Sequence, residues 1–138
     1  MIGPPAAFRE QIVDAMAEAV IVSDRDGRIV FWNQGAERMF GYPTAEALGS
    51  TLDIIIPEKL RARHWDGYRN AMSTGTTRYD RDLLAVPAIH KDGRRISIEF
   101  SLVLLRDREG ALTGAAAIIR DVTARWERER ASRTGPGT

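Results

Sequence analysis

The sequence predicts an α+β fold, in which a five-stranded antiparallel sheet is covered on one face by short helices and flanked by an N-terminal and a C-terminal helix. Three turns closed by glycine, at residues 24–27, 92–93 and 108–110, separate short apolar runs in the way that tight hairpins do. Residues 96–104 alternate apolar and polar side chains, the period of a strand with one covered face. Amphipathic segments before, between and after the hairpins supply the helices.

Each element follows from local patterning. An apolar stripe predicts a first helix over residues 6–19 with Phe8, Ile12 and Met16 on one side, where a second helix could pack. Asn33 precedes a helical stretch and can accept its first backbone N–H groups. Pro87 favours an edge strand, since proline cannot donate to a sheet ladder. The predicted strands are 19–22, 29–33, 79–89, 96–104 and 112–119, and the predicted helices after the first are 34–40, 43–49, 57–73 and 122–133.

Composition limits the class of protein. The chain has 138 residues, no cysteine and a formal net charge of +1, so a single domain without disulfides or thiolate metal sites is expected, with no strong field for nucleic acid. No apolar run reaches the length of a membrane span, and we expect a cytoplasmic protein. No nucleophile–base pair or phosphate loop is apparent, so a native enzyme is not expected, although bound heme could give incidental peroxidase-type activity. We divide the chain into an N-terminal flanking helix (1–17), a core (18–121) and a C-terminal helix with a tail (122–138).

Several segments in order resemble the PAS family. Residues 19–24 (AVIVSD) with 26–29 (DGRI) resemble its first hairpin, and residues 32–42 (WNQGAERMFGY) resemble its N-x-A-x-x-x-F-G-Y helix. Residues 91–93 (KDG) and 120–123 (RDVT) resemble its late hairpin and closing motif. The resemblance implies a PAS fold over nearly all of the chain and a sensory role.

The helix over residues 57–73 carries the candidate site. Leu60, His64, Tyr68 and Met72 are spaced by four residues and share one face, so the His64 imidazole is expected to face inward among apolar side chains. Such an imidazole is either a hydrogen-bonded core histidine or an axial ligand of heme iron. Residues 57–64 (PEKLRARH) resemble the segment that bears the proximal histidine in heme-containing PAS oxygen sensors, which implies heme b with His64 as the proximal iron ligand.

The remaining candidate contacts line the space between helix and sheet. A planar apolar cofactor would contact apolar side chains on the strands and the small Ala117. The candidates to bind its propionate groups are Arg69, Arg78, Tyr79 and Arg81. The full set of cofactor-binding candidates is Leu60, His64, Tyr68, Met72, Arg78, Tyr79, Leu84, Val86, Ile98, Phe100, Leu102 and Ala117. By its spacing from His64, Leu84 stands where the oxygen sensors carry a distal arginine, so an apolar pocket better suited to CO or NO than to O₂ is expected.

Two functions stay open at this point. The first is a heme-bound sensor of a diatomic gas or of redox state. The second is a PAS module that holds no cofactor or a small non-covalent ligand, forms a homodimer through its flanking helices and acts on a signalling partner protein. The light-sensing flavin mechanism needs a cysteine that this chain lacks. His90, beside the 91–93 turn, is expected to be exposed and not a ligand.

Overall fold

The fold is built on one five-stranded antiparallel sheet. The structure is a computed structural model, and it describes residues 2–80 and 83–134. The strands lie in the order β2-β1-β5-β4-β3, so the last strand in sequence is central and β2 and β3 form the edges. Their bounds are Ala19–Asp24 (β1), Ile29–Trp32 (β2), Leu84–Ile89 (β3), Arg95–Arg106 (β4) and Leu112–Asp121 (β5). The α+β architecture predicted from the sequence is confirmed.

Five α-helices and three short 3₁₀ helices complete the described chain. The α-helices are Pro5–Ala15 (α1), Gln34–Phe40 (α2), Thr44–Ala47 (α3), Arg61–Thr74 (α4) and Thr123–Thr134 (α5). The 3₁₀ helices are Leu52–Ile55, Glu58–Leu60 and Arg78–Asp80. Within the described residues, no helix combines the length and the apolar character that crossing a membrane requires.

The first helix is shorter than the sequence pattern predicts. It ends at Ala15, because Met16 is extended at ψ 155° and its amide makes the last helical hydrogen bond, to Ile12. Ala19 belongs to β1 instead, and the helix itself buries no residue. The predicted start of the third strand at residue 79 is also wrong, since 78–80 form a 3₁₀ turn before β3. The predicted edge position of Pro87 is correct.

Asn33 joins three elements and has no exposed surface. Its Oδ1 accepts from the amide of Val20 at 2.8 Å and from that of Ala36 at 2.9 Å, which caps α2 as predicted. Its Nδ2 donates to the carbonyls of Val13 at 2.7 Å and Glu18 at 3.1 Å. One side chain therefore fixes the end of α1, the start of β1 and the start of α2, because buried backbone groups must find partners.

The core is divided into two clusters. The smaller one lies under α4 and consists of Tyr68, Met72 and Ala115. The larger one lies under α2, α3 and the first 3₁₀ helix and consists of Ala19, Ile21, Ile29, Trp32, Ala36, Phe40, Ala47, Ile55, Ala88, Ile96, Ile98 and Ile119. Leu52 touches both clusters. The helices thus cover the inner face of the sheet from two sides, and the site described next lies where they meet.

Candidate functional site

Helix α4 presents the predicted site residues to the sheet. It runs directly on from the 3₁₀ helix that ends at Leu60, and it ends where Gly75 adopts the left-handed conformation at φ 72°. Tyr68 and Met72 are buried on its inner side, and Leu60 and His64 are half-buried. The stripe predicted from four-residue spacing is therefore the face that packs on the domain.

His64 has an unusual environment for a histidine. Its Nδ1 is buried and lacks a hydrogen-bond partner, the one such side-chain atom among the described residues. The ring lies edge-on to Trp65 with centroids 4.6 Å apart, and 5.9 Å from the ring of Tyr68. Burial lowers the pKa of His64 below 6.5, and the charge of Asp53 opposes that shift. The imidazole is thus held in its neutral form, the form that ligates metals.

Tyr68 anchors the helix to the first hairpin. Its hydroxyl lies 2.8 Å from Ser23 Oγ and donates to the backbone carbonyl of Asp24. Burial raises the pKa of the Tyr68 phenol above 10.0, so it stays protonated. Met72 and Ala115 pack beside it. The alanine on the central strand admits the close approach of this helix.

The sheet residues of the predicted site share the inner face. In the strand register Phe100 pairs with both Leu84 and Ile119, and Leu102 pairs with Ala117. Because alternate residues share a face, these side chains point the same way as buried Ile98. They are half-buried rather than buried, a state shared by Leu84, Val86, Phe100, Leu102 and Ala117. The helices therefore leave part of this apolar face incompletely covered.

Arg78 and Tyr79 lie at the margin of that face. The ring of Tyr79 is 6.1 Å from the ring of Phe100, which brings the 3₁₀ turn over β4. Arg78 Nη2 donates to the Tyr79 hydroxyl at 3.0 Å. Arg69 is exposed and pairs with Asp66 at 2.7 Å. Arg81, the other basic candidate, lies outside the described residues.

Sequence reasoning missed Trp65 and Asp53. Trp65 Nε1 donates to Asp53 Oδ1 at 2.8 Å, and its ring lies against the backbone of Gly27. Neither residue falls on the four-residue stripe, so helical spacing did not point to them. The one sequence feature that could have done so is the position of a tryptophan directly after His64. The expected exposure of His90 was wrong, because its side chain is only 15% exposed and packs against Gly41.

Two open concavities lie elsewhere on the surface. One of about 400 Å³ lies between the N-terminal residues and α1, beside Phe8 and Ile12. The other, of about 120 Å³, lies on the outer face of the sheet beside Ile118 and Arg120. Neither is lined by a residue of the predicted cofactor site.

Comparison with known proteins assigns the chain to a family. The sequence profile of the family described as PAS fold matches residues 13–127. The oxygen sensor protein DosP of Escherichia coli is 28% identical over 118 residues, which cover 86% of this chain and 14% of DosP. The sensor protein FixL of Bradyrhizobium diazoefficiens is 33% identical over 93 residues, which cover 67% of this chain and 18% of FixL. The chain thus spans less than one fifth of either relative.

Solved structures agree on the fold. The PAS domain of a Colwellia psychrerythraea protein superposes with a TM-score of 0.77 at 24% identity, covering 88% of this chain and 99% of that one. An RNA-binding light-oxygen-voltage receptor superposes with a TM-score of 0.76 at 24% identity, covering 95% of this chain and 38% of the receptor. The profile match spans most of the chain, and the chain belongs to the PAS family, whose domains are sensory modules.

Proposed function

We propose that this PAS domain binds heme b through His64 and senses a diatomic gas or redox state. The observation that carries the proposal is the buried Nδ1 of His64, which has no hydrogen-bond partner. A buried polar atom without a partner costs about 1–3 kcal/mol. A bound ligand is one explanation for such an atom, and a neutral imidazole is a common ligand of heme iron.

The inner face of the sheet offers side chains of a kind that suit this group. Half-buried Val86, Phe100, Leu102 and Ala117, with Leu84, supply an apolar wall for a flat macrocycle, and buried Ile98 lies behind it. Arg78 and Tyr79 at the margin offer the donors that propionates need. When bound, heme would supply an iron able to bind a diatomic gas. Leu60, Tyr68 and Met72 keep the helix that bears His64 against the domain.

Leu84 decides which gas we expect. It faces the same side as Phe100 and carries no donor that could hydrogen-bond to bound dioxygen. A distal side of Leu84, Phe100 and Leu102 excludes water and favours CO or NO, which depend less on such a donor. DosP is named an oxygen sensor, so we expect the two domains to differ in gas preference.

An absorption spectrum of the purified protein tests the proposal. After reconstitution with hemin and removal of excess, the wild type should show a Soret band that shifts on reduction and on addition of CO. His64→Ala should lose or shift that band. His90→Ala is the matched control, because the other histidine of the chain lies at the β3–β4 turn and should leave the spectrum unchanged. A colourless wild type, or a band unaffected by His64→Ala, contradicts the proposal.

A second candidate is a homodimerisation module that acts on a signalling partner. Helix α1 favours it, because Ile12 is 60% exposed on a helix that buries none of its residues. A partner copy would cover this apolar side. Ile12→Glu should halve the mass measured by light scattering. The control is Leu48→Glu, directly after the C-terminal end of α3 and 44% exposed, which should leave the mass unchanged. A wild-type mass equal to one chain would remove this candidate.

A further inference from the structure

The hydrogen bonds of Tyr68 have a fixed direction. The carbonyl of Asp24 can only accept, so the single phenolic proton goes to it. The hydroxyl of Ser23, 2.8 Å away, must then donate to the phenolic oxygen. Tyr68 therefore links α4 to β1, because both hydrogen bonds of its hydroxyl are made to adjacent residues of the first hairpin.

Asp24 organises the turn between β1 and β2. Its Oδ1 accepts from the amides of Asp26 at 2.9 Å and Arg28 at 3.0 Å, and its carbonyl accepts from the amide of Gly27 at 3.0 Å. The carbonyl that Tyr68 holds is thus the one that closes the turn. A shift of Tyr68 would therefore weaken the hydrogen bond from the Gly27 amide to the Asp24 carbonyl.

Trp65 makes a second contact with the same turn. A Cβ placed on Gly27 would come within 2.2 Å of the Trp65 ring, so the ring lies directly against the turn backbone. The same ring is the edge-on partner of His64. Two consecutive contacts, from His64 to Trp65 and from Trp65 to Gly27, join the candidate iron ligand to this turn. Arg25 and Asp26 of the turn are exposed.

We propose that Trp65 and Tyr68 are positioning residues that couple the state of His64 to the β1–β2 turn, residues 24–28, where a partner can read it. The inference rests on the proposed function in one respect, that His64 is where the signal enters. A binding event that moves His64 must move the Trp65 ring, and it must move Tyr68 one helical turn away, since close-packed rings do not move independently. The turn then loosens or tightens as a unit.

Hydrogen exchange in the cofactor-free protein tests the coupling. We expect His64→Ala to raise the exchange of the Gly27 and Arg28 amides by about tenfold. The turn at residues 107–111 is the internal control, because Asp107 Oδ1 and its carbonyl accept from Glu109, Ala111 and Gly110 in the same pattern. Exchange there should stay within about twofold of the wild type. An equal rise in both turns would mean general loosening and would overturn the inference.

Epistasis separates coupling from a merely structural role. In a Trp65→Leu/Tyr68→Phe background, adding His64→Ala should leave exchange at 24–28 unchanged. If that double variant does not fold, Tyr68→Phe alone serves, and the His64→Ala effect should be smaller than in the wild type. Tyr79→Phe, which removes a hydroxyl that is not part of this link, should keep the full effect. A tenfold effect that persists in the Tyr68→Phe protein overturns the coupling and leaves the heme proposal intact, whereas a missing Soret band removes heme and leaves this test standing.

Discussion

Replacing His64 with leucine should stabilise the cofactor-free protein. Leucine is similar in size, and it removes the buried Nδ1 that has no partner, a gain of about 1–3 kcal/mol. Against this, the ring contact with Trp65 is lost, which costs about 0.5–1.5 kcal/mol. The net expectation is a free energy of unfolding about 1 kcal/mol higher than that of the wild type. A residue retained only for structure would give the opposite sign.

The difference should widen in acid. The folded-state pKa of His64 lies below 6.5, so between that value and 6.5 the unfolded chain binds a proton that the native chain does not. Wild-type stability therefore falls as the pH falls through 6.5, and His64→Leu lacks this contribution. Urea denaturation of both proteins at about pH 7.5 and about pH 5.5 measures the two slopes.

Two results would refute this reasoning. A His64→Leu protein less stable than the wild type near neutral pH would mean that the contacts of the imidazole contribute more than its unpaired nitrogen costs. Equal pH slopes would mean that His64 is protonated as readily in the folded chain as in the unfolded one. The contrasting variant is His90→Leu, which should destabilise, because His90 Nδ1 accepts from the Asp92 amide at 3.1 Å.

Two further substitutions test the scaffold and the distal side. Asn33→Ala should lower the free energy of unfolding by about 3 kcal/mol, because it removes a helix cap and leaves the buried amide of Val20 without a partner; exposed Gln34→Ala, measured beside it in urea, should change it by less than about 0.5 kcal/mol. In heme-loaded protein, Leu84→Arg should slow O₂ dissociation measured by flash photolysis, since arginine adds a donor on the face shared with Phe100. An unchanged O₂ rate would place Leu84 away from the bound gas.

Local sequence patterns, such as turn sequences and the alternation of apolar and polar residues, were sufficient to predict the fold. The Gly27, Gly93 and Gly110 turns have positive φ, as their Asp-Gly or Glu-Gly sequences predict. The alternation over residues 96–104 found the strand whose inner side faces the helices. The first helix was extended too far, because Met16 and Ala19 continue the apolar stripe while the chain has already turned so that Asn33 can bond to Val13. That contact joins residues 20 apart, which no local pattern encodes.

The candidate site was predictable only where local sequence patterns determine it. Helical spacing placed His64 and Tyr68 on the inner face, since a helix fixes which of its residues share a side. Spacing gave no information on the hydrogen-bond partner of either side chain. Ser23, which bonds to Tyr68, lies 45 residues earlier in the chain, and whether the His64 nitrogen finds a partner depends on every element packed around it.

The unpaired nitrogen of His64 and the hydrogen-bonded Tyr68 together suit α4 to link a ligand at His64 to the first hairpin. A ligand that satisfies the imidazole binds the native state and not the unfolded chain, so it stabilises the domain by mass action. Because Tyr68 is one helical turn from His64 and is hydrogen-bonded to Asp24, we expect that gain to reach the first hairpin through the helix. A histidine whose ring was already paired would have less to gain from a ligand and would transmit a smaller change. The same unpaired atom that lowers the stability of the free domain therefore increases the difference between its free and bound states, and a sensor depends on that difference.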